Sequence, residues 1–236
     1  MFEAIENKKI SQIVIEQIQG MIMRGELKNG DKLPPERELT ETLNIGRPAL
    51  REALKALEII GVIECRHGQG NFIVNNIEYS TFKPLSLSFK LSNGNIEEIL
   101  EMRRMVEDYT VRQAAKLANK NDVDKLYEIH NAMINADTTE QKSAFDRKFH
   151  YAIAKISKNM LINSLLESTS YLSDSFINRA VIISFFGEDS IDNIYNEHLE
   201  IIKAIESKNP TEAAVKMHIH LNNINIYMLK EKGDYL

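Results

Sequence analysis

The sequence predicts a mainly α-helical protein carrying one small β-hairpin. A smaller N-terminal domain is expected over residues 1–75, and a larger all-α bundle of about seven helices over 76–236. Three observations carry this expectation. Apolar residues recur at helical spacing through most of the chain. Two short apolar runs around His67-Gly68-Gln69-Gly70 break that pattern and read as paired strands. Beyond Asn75-Asn76 no convincing strand follows.

The first helix is expected over about residues 8–24, where Ile10, Ile13, Val14, Ile18, Met21 and Ile22 share helical spacing and Gly25 stops it. Lys28-Asn29-Gly30-Asp31 reads as a turn. Pro34-Pro35 opens a second helix, with proline in its first turn and Leu39 and Leu43 inward. Asn44-Ile45-Gly46 turns the chain, Pro48 starts a third helix and Gly61 ends it. Leu50, Leu54, Leu57 and Ile60 are its expected buried stripe. Val62 to Arg66 and Asn71 to Val74 are the strands, and the glycines at the tip supply dihedrals other residues avoid. Further helices are placed at about 79–91, 95–118, 122–136, 140–157, 160–185, 188–207 and 210–230, with polar or glycine breaks between them.

Composition narrows the class. A single cysteine, Cys65, forbids an internal disulfide and fits a reducing compartment. The opening MFEAIENKKI has no apolar core or cleavage pattern, so no signal peptide is expected. No apolar run approaches the roughly 20 residues of a membrane helix, and a cytoplasmic protein is expected. Residues 1–75 hold ten Lys or Arg against eleven Asp or Glu. Bulk charge therefore does not mark a nucleic-acid binder; only clustered cations would.

Such a cluster is present. Arg47, Arg51 and Lys55 lie four residues apart, on one face of the third helix and opposite its leucines. Arginine there can grip guanine O6 and N7 or clamp phosphate in the major groove. Arg37, at the start of the preceding helix, can reach the backbone. A hairpin tip with Arg66, His67 and two glycines can enter the minor groove. Any one of these residues alone reads as part of a solvated face. Their combination with a proline-started helix and a glycine hairpin reads as a winged helix-turn-helix.

This stretch resembles the DNA-binding block of the GntR family of bacterial transcription regulators. The resemblance covers about residues 5–75. It rests on Leu33-Pro34-Pro35-Glu36-Arg37-Glu38-Leu39, on Arg47-Pro48-Ala49-Leu50-Arg51-Glu52-Ala53-Leu54, and on His67-Gly68-Gln69-Gly70. It implies Arg37, Arg47, Arg51, His67 and Gly68 as DNA contacts. Gly46 departs from the pattern, because a hydroxyl residue usually stands there; a phosphate contact and a helix cap go with it.

The larger domain holds His130, His150, His198, His218 and His220. His150 sits on a stripe with Phe149, Ile153 and Ile156, His198 with Ile191, Ile194, Ile201 and Ile205, and His220 with Ala213, Met217, Ile224 and Met228. A lone histidine on such a face is usually a hydrogen-bonded core residue. Three on three helices, with Asp146 one turn before His150, suit a divalent transition metal instead. Zn comes first, with Ni, Fe or Cu as alternatives and Mn admitted by the carboxylate. This pattern resembles the FCD effector domain of the FadR-like branch of the same family, over about residues 79–230. The resemblance implies Asp146, His150, His198 and His220 as metal ligands and a small carboxylate as effector. Arg103, within Glu101-Met102-Arg103-Arg104-Met105-Val106-Glu107, is the expected effector grip. The alternative is a surface ion pair with Glu107, worth little.

Gly68-Gln69-Gly70 is no phosphate loop, since no lysine and helix follow in frame. Cys65 has no evident base and reads as a buried or incidental thiol. The expectation is a homodimeric regulator, a repressor, that binds a palindromic double-stranded operator and senses a small organic acid at a metal. Three other readings stand beside it: a metal sensor without organic effector, a structural metal, and a metal-dependent hydrolase, which lacks a placeable acid or base.

Overall fold

A computed structural model of the chain describes residues 8–75, 82–176 and 188–233. Among them are ten helices and one two-stranded sheet. The chain divides into two compact units, Met1–Leu87 and Ser88–Leu236. The boundary expected at 75/76 adjoins residues 76–81, which lie outside the described residues.

The first unit contains α1 (Ile10–Met23), α2 (Glu36–Leu43), α3 (Arg47–Ile59), β1 (Ile63–Arg66) and β2 (Gly70–Ile73). Its core joins Val14 and Ile18 of α1 to Leu50, Ala53, Leu54 and Leu57 of α3, with α2 adding the half-buried Leu39 and Leu43. Asn44 closes α2 in the left-handed region, at φ 51°, a conformation asparagine tolerates. Two backbone bonds end α3, from Gly61 N to Glu58 O at 3.0 Å and from Val62 N to Leu57 O at 2.9 Å. They require the positive φ of 70° that Gly61 adopts. The hairpin is antiparallel, with Ile63 opposite Ile73 and Arg66 opposite Gly70. Leu33 N donates to Asn71 O at 2.8 Å, so the segment after the first turn lies along the free edge of β2.

Several expectations need correction. Ile60 is 40 % exposed and Ala53 takes the buried place, because the helix has ended by Ile60, which is its cap. Ile10 and Ile13 are 52 % and 46 % exposed. Ile10 is the first residue of α1, and Ile13 turns away from the Val14–Ile18 line. Pro35 caps α2 from outside rather than sitting in its first turn. Gly70 pairs with Arg66, so it belongs to β2 and not to the tip.

The second unit follows from α4 (Lys83–Leu91), which spans the unit boundary, through α5 (Ile96–Leu117), α6 (Lys120–Ile134), α7 (Thr139–Ile156), α8 (Met160–Phe176), α9 (Glu188–Glu206) and α10 (Pro210–Gly233). Residues 79–81 and 177–185 of the expected helices lie outside the described residues. Helix α5 packs on α7, α8, α9 and α10, while α6 packs on α7 and α9. Ala114 and Ala115 let neighbours approach α5, and Phe149, Ile201 and Met217 fill the middle. Two capping boxes set the starts of α6 and α7, Asn119 with Asp122 and Thr138 with Gln141. The first explains why α6 begins at Lys120 rather than at 122. The wide apolar faces of α5, α7, α9 and α10 together wall the interior in which His150, His198, His220, Asp146 and Glu107 are buried.

Candidate functional site

Helix α7 presents Asp146 and His150 one turn apart, α9 presents His198 and α10 presents His220. These four expected ligands come together. One oxygen or nitrogen from each lies within 4.8 Å of all the others, and all four residues are buried. His220 Nε2 is 3.2 Å from His150 Nε2 and 3.3 Å from His198 Nε2. Asp146 Oδ1 is 3.3 Å from His198 Nε2 and 3.7 Å from His150 Nε2. Atoms that share an ion at about 2 Å stand roughly 3–4 Å apart, so the spacing fits a single centre. Asp146 Oδ1 is buried without a hydrogen-bond partner. Three ring nitrogens facing one another and an unsatisfied carboxylate oxygen are costly together, unless a cation lies between them. The donor set therefore fits a divalent metal such as zinc.

Packing holds the rings in place. Phe149 stacks on His198 with centroids 4.1 Å apart, and His150 stacks on His220 at 5.2 Å. Behind two of the rings stand carboxylates that the sequence reading does not assign to the site. Glu107 on α5 contacts His150 Nδ1. Glu197 Oε2 stands 2.8 Å from His220 Nδ1. Arg103 Nε donates to Glu107 Oε1 at 2.5 Å. Arg103 thus has the partner its alternative reading names, but the pair is buried, with side chains 15 % and 1 % exposed. The readable signal was Glu107 itself, a charge on the apolar line of Leu100, Val111 and Ala114.

Electrostatics follow from this enclosure. Burial opposes ionisation of Glu107, yet His150 and Arg103 outweigh it and hold the carboxyl down at about 2. Burial likewise opposes ionisation of Asp146, but His150 and His198 keep it well below the usual carboxylate range. For His150, burial works against protonation, while Glu107 and Asp146 prevail and raise it to about 9. A metal at Nε2 competes with that proton. Burial lowers both His198 and His220, leaving neutral imidazoles with available lone pairs.

In the first unit, Arg47, Arg51 and Lys55 lie exposed on one side of α3, away from Leu50 and Leu57. Arg37 is exposed on α2, and His67 and Gly68 are exposed at the hairpin tip, Gly68 at φ +71°. Arg66 stacks over Phe72 at 4.5 Å. Four of these cations face an acid: Arg51 with Glu36 at 3.0 Å, Lys55 with Glu58 at 2.8 Å, Arg66 with Glu64 at 2.8 Å, and Arg37 with Glu41 at 4.0 Å. This pairing is the structural form of the unit's unremarkable charge balance. Gly46 caps α3 without any side-chain bond. Cys65 is exposed, which corrects the buried alternative and leaves an incidental thiol. No helix among the described residues is long and apolar enough to cross a membrane.

Comparison with known proteins covers both units. Residues 10–73 match the model of the gntR family of bacterial regulatory proteins, and residues 98–223 match the FCD domain. The chain is 31 % identical over 207 residues to the HTH-type transcriptional regulator LutR of Bacillus subtilis, covering 86 % of this chain and 94 % of that one. It is 29 % identical to the HTH-type transcriptional repressor NanR of Escherichia coli, covering 94 % and 85 %. Among solved structures, Streptococcus agalactiae GntR superposes with a TM-score of 0.69 at 26 % identity, covering 91 % of this chain and 98 % of that one.

Proposed function

From a chain that belongs to the gntR family of bacterial regulatory proteins and carries an FCD domain, we propose a homodimeric, cytoplasmic regulator that binds a palindromic operator and responds to a small carboxylate at a divalent metal. The family places the chain among DNA-binding transcription regulators rather than enzymes, and the hydrolase reading is set aside. The convergence of Asp146 Oδ1 with three histidine Nε2 atoms is the observation that carries the effector half of the proposal. In the DNA half, Arg47 and Arg51 read base edges in the major groove and Lys55 and Arg37 hold phosphates. Arg66, His67 and Gly68 follow the adjacent minor groove. Two-fold symmetry of the protein calls for a matching symmetry in the operator.

Zinc, nickel, manganese or iron in the centre supplies a Lewis-acidic position for a carboxylate oxygen. Arg103, near the centre through Glu107, offers its remaining guanidinium donors to the same anion. Binding there shifts operator affinity through a coupling free energy between the two sites. One observation favours a second reading, a metal sensor without organic effector: Arg103 is already engaged with Glu107, and all four ligands are buried.

The test is an operator titration on the full chain, using DNA selected by the protein from random duplexes. Metal-loaded protein is compared with chelated protein, and then with metal-loaded protein in a panel of small carboxylic acids. An acid that shifts operator affinity only when metal is present supports the main reading. A response to metal alone, with no acid active, replaces it by the second. Indifference to both metal and acids refutes the effector half.

A further inference from the structure

We propose that Glu107 and Glu197 are positioning carboxylates of the metal centre, holding His150 and His220 with Nε2 turned toward the ion. The proposal rests on the metal reading above. An imidazole ligand must present one nitrogen lone pair and carry its proton on the other nitrogen. An anion behind that second nitrogen fixes the tautomer and the ring angle, and makes the ligand more basic. Both carboxylates occupy that position, at His150 Nδ1 and His220 Nδ1. Neither has an oxygen to spare for the ion. Glu107 Oε1 accepts from Arg103 Nε at 2.5 Å, and Glu197 Oε1 accepts from Asn223 Nδ2 at 2.5 Å. Their roles are thus separate from that of Asp146, whose Oδ1 has no hydrogen-bond partner.

Charge supports the assignment. With neutral imidazoles, Asp146, Glu107 and Glu197 supply three negative charges and Arg103 one positive, a net of −2. A divalent cation neutralises that enclosure, which a buried cluster requires. The arrangement is also unequal. His198 Nδ1 is buried with no hydrogen-bond partner, so His198 is the ligand imidazole without an anion behind it.

The experiment uses the full chain. Zinc affinity is measured by competition with a chromophoric chelator, and ligand geometry by the visible absorption of the cobalt-loaded protein. Glu107→Gln and Glu197→Gln should each keep one ion per chain, weaken zinc binding by about 10–100-fold, and shift the cobalt bands. Glu200→Gln, an exposed acid on α9 paired with Lys203 and Lys216, should leave both readings at the wild-type value. Glu197→Asp should recover part of the loss. Glu107→Gln strips Arg103 of its buried partner, so its fold is checked by circular dichroism. Glu197→Gln, at a side chain 16 % exposed, carries the test alone if Glu107→Gln does not fold. Wild-type affinity and an unshifted cobalt spectrum in a folded Glu197→Gln overturn this inference alone. A wild-type chain that binds neither zinc nor cobalt overturns the metal reading itself, and this inference with it.

Discussion

Replacing Asp146 with asparagine removes the one carboxylate among the four proposed ligands at nearly constant shape. The asparagine side chain fits beside His198 and His150, which stand 3.3 and 3.7 Å from Asp146 Oδ1, so the bundle folds. Its metal linkage is what changes. An ion held by the folded state at one hundred times its Kd adds about 2.7 kcal/mol of stability. The helical unit is roughly 150 residues long. At that size each kcal/mol moves Tm by about 2–4 °C, so saturating zinc raises the wild-type Tm by about 5–11 °C and a chelator abolishes the rise. In Asp146→Asn the rise falls below about 2 °C, because the remaining donors are neutral and the ion loses its only anionic ligand. The assay is scanning calorimetry of the full chain across a zinc titration, with circular dichroism to check the fold. A wild-type Tm indifferent to zinc rules out this metal linkage. So does an Asp146→Asn chain that keeps the whole shift.

Three further outcomes follow from the same structure. Arg51→Ala lowers affinity for the selected operator by about 1–3 kcal/mol, or roughly 5–150-fold, in a gel-shift titration, while metal content is unchanged; equal affinity removes Arg51 from the contact set. Gly46→Ser gives α3 the side-chain cap it lacks, and an added Cβ meets only Pro48 Cδ, at 3.5 Å. A gain of a few tenths of a kcal/mol in urea unfolding is expected, and a loss would show that the turn does not admit a side chain. Phe149→Ala empties a fully buried place against the His198 ring and costs about 3–5 kcal/mol in urea unfolding; a cost below about 1 kcal/mol would contradict the packing described.

The division into a small winged unit and a helical bundle is legible from periodicity and turn residues, because those signals are local. The convergence of the four proposed ligands is legible for a related reason. His150, His198 and His220 each interrupt an apolar stripe, and Asp146 precedes His150 by one turn. Glu107 is harder. Its spacing from Arg103 reads equally well as an exposed pair, and only the packing of α5 against α7 and α10 turns it inward. Glu197 hides in the same way beside His198. Helix ends mislead where a cap decides them, as Asn119 does for α6 and Ile60 for α3. The pairing of Arg51 with Glu36 joins two different helices, so no count of charges along the chain reveals it.

In the proposed site, Asp146, His150, His198 and His220 hold one divalent metal. X-ray absorption spectroscopy at the metal edge of the zinc-loaded full chain reports those ligands without an intermediary. One equivalent of zinc per chain is expected, with a first shell of nitrogen and oxygen only and the scattering pattern of three imidazoles, lost in the His198→Ala chain. Sulfur in the first shell, which would implicate Cys65, or a spectrum unchanged by His198→Ala, would contradict it.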